Sequence, residues 1–137
     1  MQIQAYLFFD GRCEQALEFY KQALGAKPGR LMRYQDSPEA PPPGMVPPGY
    51  GNKIMYSDFR VGDTQVMACD DCTRKQKAFQ GFSLSLSVAN EAEAKRVFTA
   101  LAAGGNVGMP LAKTFFSPCF GMLKDKFGVG WMVIVPA

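Results

Sequence analysis

Hydrophobic and polar positions alternate along "GFSLSLSV", residues 81–88. Phe82, Leu84, Leu86 and Val88 take one parity; Ser83, Ser85 and Ser87 take the other. Successive strand side chains point to opposite faces, so this segment predicts a strand with one apolar face and one hydroxyl face. The run "QIQAYLFF" at 2–9 predicts another strand. Each is followed by apolar residues at helical spacing. Cys13, Ala16, Leu17, Tyr20 and Leu24 follow the first, with Asp10 as the expected N-cap and Gly25 in the C′ role. Ala94, Val97, Phe98 and Leu101 follow the second, with Asn90 as N-cap, Glu93 three residues on, and Gly104-Gly105 as the stop. Further strands are predicted at 27–34, in "NKIMYSDF" and in "TQVMAC", the last two joined by a turn at Val61-Gly62-Asp63. In the second half they fall at about 106–112, about 117–124 and in "WMVIV", with a turn at Gly128.

Both halves therefore read β-α-β-β-β. A shift of 78 residues carries Tyr6 onto Leu84, Phe8 onto Leu86, Phe19 onto Val97 and Tyr20 onto Phe98. The expected class is α+β, two βαβββ modules in one domain over 1–137, the first at about 1–72 and the second at about 81–137. The segment 36–51, "DSPEAPPPGMVPPGYG", holds six prolines between Pro38 and Pro48. Proline excludes a helix or an inner strand there, so this is a loop inserted in the first module, either a lid or a mobile segment.

With 47% hydrophobic and 20% charged residues, the composition is that of a globular domain. No apolar run reaches the roughly 18–20 residues of a membrane span. Residues 1–9 lack a basic flank and a cleavage site, so no secretory leader is expected. The net charge of +3 is spread along the chain, which argues against nucleic acid as a partner. Histidine is absent from the sequence. That excludes Ser–His and Cys–His nucleophiles and histidine metal sites. The four cysteines, Cys13, Cys69, Cys72 and Cys119, point to a reducing cytoplasm rather than to disulfides. "CDDC" at 69–72 precedes the polar "TRKQKAFQ" and reads as a strand end with a loop, not as a redox or zinc motif.

Three phrases, "YLFFDGRCEQALEFYKQALGA", "NKIMYSDFRVGDTQVMACDD" and "GFSLSLSVANEAEAKRVFTALAAGGNVGMPLAKTFFSPCFGMLKDKFGVGWMV", cover most of the chain outside the proline loop. In this order they resemble the PhnB-like (YjdN-like) branch of the vicinal oxygen chelate superfamily, which includes glyoxalase I and bleomycin-resistance proteins. The resemblance implies a half-open, barrel-like mixed sheet with one helix per module on its convex face. It implies a concave cavity and a homodimer. The serine parity should face the cavity, and the 78-residue shift puts Ala5, Leu7 and Phe9 there with Ser83, Ser85 and Ser87.

Metal-dependent members of the superfamily carry His or Glu on the first strand of each module and on the last strands. Here those positions fall on Ala5, Ser83 and Met132, with the fourth near Ala68. Ala and Met are not ligands for a hard cation, and a neutral serine is a poor one. PhnB-like members often carry a histidine where this chain has Tyr56, two residues before Asp58 on the same strand face. A Tyr–Asp pair binds polar groups better than it abstracts protons, since the unperturbed values are about 10 and about 3.9. Phe116 and Phe120, around "SPC", are candidates for the cavity rim. Tyr34 and Phe115 are further aromatics, and Trp131 is expected in the core. The branch often bears a methyltransferase label, yet no glycine-rich turn here leads from a strand into a helix. The expected function is metal-free and cofactor-free binding of a small organic molecule, with no nucleic acid or membrane partner. The alternative is a metal-dependent glyoxalase- or lyase-type, or dioxygenase-like, enzyme.

Overall fold

Both periodicities become the elements they predict. The computed structural model describes residues 1–39, 46–71 and 79–137, and the chain divides into two units, Met1–Lys77 and Ala78–Ala137. The described part of the first unit runs β1 (Tyr6–Phe9), α1 (Cys13–Leu24), β2 (Lys27–Arg33), a 3₁₀ turn (Tyr34–Asp36), β3 (Ile54–Val61) and β4 (Thr64–Asp70). The second runs β5 (Leu84–Ser87), α2 (Glu91–Ala102), β6 (Asn106–Ala112), β7 (Cys119–Lys124) and β8 (Gly130–Val135). Each unit is thus one βαβββ module.

In the first unit the strand order is β1-β4-β3-β2. β1 runs parallel to β4, and the other neighbours are antiparallel. Helix α1 covers one face of this sheet. Its Tyr20 ring lies 5.7 Å from Phe59, and its Cys13 Sγ lies 3.7 Å from Ser57 Oγ. The register places Ser57 beside Ala68 and Ala68 beside Leu7, so Leu7 belongs to the helix-packed face. Phe9 is on the same parity, and both are 1% exposed. Tyr6 and Phe8, each 36% exposed, are on the opposite, open face. Ala5 precedes β1, half-buried, and its carbonyl accepts the Met67 N–H at 3.0 Å.

This corrects the expected placement of Ala5, Leu7 and Phe9 in a cavity. The two helices do correspond at the 78-residue shift, Cys13 onto Glu91 and Tyr20 onto Phe98. The strands correspond one residue lower: Leu7 onto Leu84 and Phe9 onto Leu86, all on the helix-packed parity. Both strand-to-helix connections are three residues long, so the difference lies in which strand parity faces the helix. A slip of one residue turns every strand side chain to the other face.

Helix α1 also starts differently from the expectation. A helix N-terminus leaves amides without partners. Asp10 does not supply them; it pairs with Arg12 at 3.2 Å on the surface. Asp70, at the end of β4 and 1% exposed, does so instead. Its Oδ1 accepts the N–H groups of Gly11 at 2.8 Å and Cys13 at 2.9 Å, and its Oδ2 accepts that of Ile54 at 3.0 Å. One buried carboxylate therefore joins the start of α1, the start of β3 and the end of β4. Gly25 closes α1 in the left-handed conformation, as expected.

The second unit repeats the sheet as β5-β8-β7-β6, with β5 parallel to β8. Asn90 caps α2 as expected, its side chain accepting the Glu93 N–H at 2.9 Å. α2 packs so closely on β7 that a Cβ at Gly121 would lie 2.7 Å from Phe98 Cε2. Gly121 pairs with Val133, and Leu123 with Trp131. Leu84 and Leu86, paired with Trp131 and Val133, share this face. The apolar parity of the opening segment therefore faces the helix. Trp131 is in the core, and its indole N–H donates to Asp125 Oδ2 at 2.9 Å.

Candidate functional site

The side chains left on the open faces are the candidates for chemistry. In the first unit these are Tyr6 and Phe8 on β1, Tyr56 and Asp58 on β3, and Met67 and Cys69 on β4. Tyr6 and Phe8 stack with ring centroids 4.9 Å apart. Tyr56 donates its hydroxyl to Asp58 Oδ2 at 3.0 Å, so these two predicted residues do come together. The other oxygen of Asp58 accepts the Arg30 N–H at 3.2 Å. The edge strand approaches this closely because Gly29 has no side chain; a Cβ there would overlap Asp58 Oδ1.

Both tyrosines on this face hold their protons at neutral pH. Burial, reinforced by the neighbouring Cys69, pushes Tyr6 above its ordinary value. The hydrogen bond to Asp58 raises Tyr56. Cys13, on the helix-packed side, is pushed up to about 12 by burial, which leaves the thiol inert. This face can stack a ring and exchange hydrogen bonds.

In the second unit Ser85 pairs with Met132 and Ser87 with Ile134, on the open face. Phe120 is on the same parity, buried under Phe116, with ring centroids 5.0 Å apart. Phe116 and a fully exposed Phe115 stand on a loop in which Thr114 Oγ1 accepts the N–H groups of Phe116 and Ser117. Ser83 lies elsewhere. It lines a cleft of about 480 Å³ between the approach to β5 and the strands β6 and β7, with Phe79, Phe82, Val107, Met122 and Lys124. Its hydroxyl sits over Gly130, where a Cβ would meet Ser83 Oγ at 3.0 Å. Tyr6, Phe8, Lys124 and Gly130 were not singled out from the sequence. The first two were hidden by the one-residue register change; Lys124, in "LKDKFG", carries no motif.

The sequence matches the model of the 3-demethylubiquinone-9 3-methyltransferase family over residues 1–134. The chain belongs to this PhnB-like family. It is 34% identical to Protein YjdN of Escherichia coli over 98% of this chain and 95% of that one. Among solved structures it is similar to protein PA1353 from Pseudomonas aeruginosa, at 41% identity and a TM-score of 0.88, over 99% of this chain and 98% of that one. The PhnB protein from Bacillus cereus matches at 28% identity and a TM-score of 0.80, over 98% and 99%. The PhnB-like chain also has the fold of a glyoxylase/bleomycin resistance protein/dioxygenase domain from Frankia, with a TM-score of 0.72 at 13% identity, over 100% and 98%.

The family description implies a methyl donor, and the fold implies a metal. The residues present fit neither. A nucleoside-type donor needs free amides where a strand turns into a helix. At the start of α1 those of Gly11 and Cys13 are taken by Asp70, and at the start of α2 that of Glu93 is taken by Asn90. Ala5 precedes β1 and Ala68 of β4 is on the helix-packed face, so neither offers a ligand to the open face. Among the described residues no three His, Cys, Asp or Glu side chains converge as a metal group. Cys72 of the "CDDC" segment and residues 40–45 of the proline loop lie outside the described residues. No described helix is long and apolar enough to cross a membrane.

Proposed function

We propose that this PhnB-like protein binds a small organic molecule, without a metal or a nucleotide-type cofactor, in the cleft of its second unit. The cleft carries the reading. Its volume of about 480 Å³ falls in the range of small-molecule sites, and its walls are apolar with a few polar groups, Ser83 among them. Tyr6, Phe8 and the Tyr56–Asp58 pair offer a second surface of similar character in the first unit. The working form is a homodimer; the exposed Phe115 and Phe116 support burial against a second copy. Its compartment is the cytoplasm, in keeping with the buried thiols of Cys13 and Cys119. A thermal-shift screen across a small-molecule library tests the binding reading. It predicts saturable, concentration-dependent stabilisation by at least one compound class that survives chelation of metals. Stabilisation only by divalent cations would replace this reading by the metal-dependent one.

A further inference from the structure

The charges around the cleft specify more than size. Lys124 lies on the open-face parity of β7, paired with Gly130 of β8 and with Asn106 of β6, and all three line the cleft. Among the described residues no carboxylate lines it. The acidic side chains of the second unit are all engaged elsewhere. Glu91 pairs with Lys95 and Glu93 with Arg96 on the outer surface of α2. Asp125 accepts the N–H groups of Phe127 and Val129 and of the Trp131 indole. Lys124 makes no ion pair among the described residues. An ammonium with no counter-ion, at the edge of an apolar cleft, attracts an anion whose remainder is apolar.

Phe82, about half exposed, and Met122, on the open-face parity of β7 with Lys124, supply the apolar contact. Ser83, whose hydroxyl sits over Gly130, and Asn106 add neutral donors. We infer that the cleft takes an amphiphilic organic carboxylate, with its ring or chain against Phe82 and Met122 and its carboxylate at Lys124. This rests on the binding reading above and adds the class of ligand.

The test uses the full chain, 2-naphthoate as probe and its neutral analogue 2-naphthamide, with backbone amide chemical shifts as readout. Naphthoate is expected to shift the amides of Ser83, Asn106 and Lys124 saturably. Naphthamide, and naphthoate with Lys124→Gln, should bind about fivefold more weakly, the upper end for an ion pair reached by solvent. Lys113→Gln, an exposed lysine that does not line the cleft, should leave the affinity unchanged. Equal affinities for naphthoate and naphthamide would overturn the carboxylate inference and leave the binding reading standing. No saturable shift at the cleft amides with either compound would overturn both.

Discussion

Replacing Asp70 tests whether one carboxylate organises the first unit. Its three acceptor bonds, at 2.8, 2.9 and 3.0 Å, all go to backbone N–H groups, and the residue is 1% exposed. In Asp70→Asn, a carbonyl in the Oδ1 position keeps Gly11 and Cys13 as neutral bonds, each about half as strong as a charge-assisted one. The new amide nitrogen then faces the Ile54 N–H, donor against donor. That leaves a buried amide unpaired, which costs about 1–3 kcal/mol. With the weakened pair the expected loss is about 2–4 kcal/mol. Asp70→Ala leaves all three amides without a partner and should cost more, about 4 kcal/mol or above. Asp10→Ala, in the position the sequence marks as the cap, should stay within about 0.5 kcal/mol of the parent. Urea unfolding followed by far-UV circular dichroism gives all three values. The amides of Cys13 and Ile54 should also lose hydrogen-exchange protection first in the Asp70 variants. A cost for Asp10→Ala equal to that of Asp70→Ala, or Asp70→Asn as stable as the parent, would refute the reasoning.

The register makes a paired prediction: Phe9→Ala should cost about 3–5 kcal/mol as a core truncation and Phe8→Ala clearly less, since Phe8 keeps a third of its surface in water. Equal or reversed costs in urea unfolding would restore the 78-residue register of the strands. Gly121→Ala should cost about 1–3 kcal/mol in the same measurement, because its methyl would sit 2.7 Å from Phe98 Cε2 and force α2 outward. Cys13 gives a pH dependence. Its folded value, about 12, lies above that of an exposed thiol, so the unfolded chain loses the proton first. Stability from this group is present below about pH 9 and declines as the pH rises toward about 12. Cys13→Ala should flatten that decline in urea midpoints taken across the window, and an unchanged slope would contradict it.

Signals carried by neighbouring residues were legible. Asn90 and Glu93 cap α2 from three residues apart, and Gly25 ends α1 in the expected conformation. The alternation in 81–88 set its own faces correctly, because an apolar strand parity beside a helix must be buried. What depended on comparing distant segments was not legible. Asp70 caps a helix 57 residues earlier, and nothing near Cys13 announces it. The strand faces of the first unit came from superposing the two halves, and a one-residue difference in strand register inverted them. "AYLFF" itself gave no help, since Tyr6, Leu7, Phe8 and Phe9 are all apolar enough for either face. Ser83 was legible from the alternation, and Tyr56 and Asp58 from the resemblance to PhnB-like chains. Lys124 and Gly130 gained meaning only once β6, β7 and β8 were side by side.

Native mass spectrometry of the protein purified from its own cells, without added metal, tests the central claim most directly, because it weighs the folded chain with whatever it holds. Binding of a small organic molecule without a metal predicts the mass of the chain plus an organic adduct that is lost on unfolding. A divalent ion retained at one per chain would contradict it.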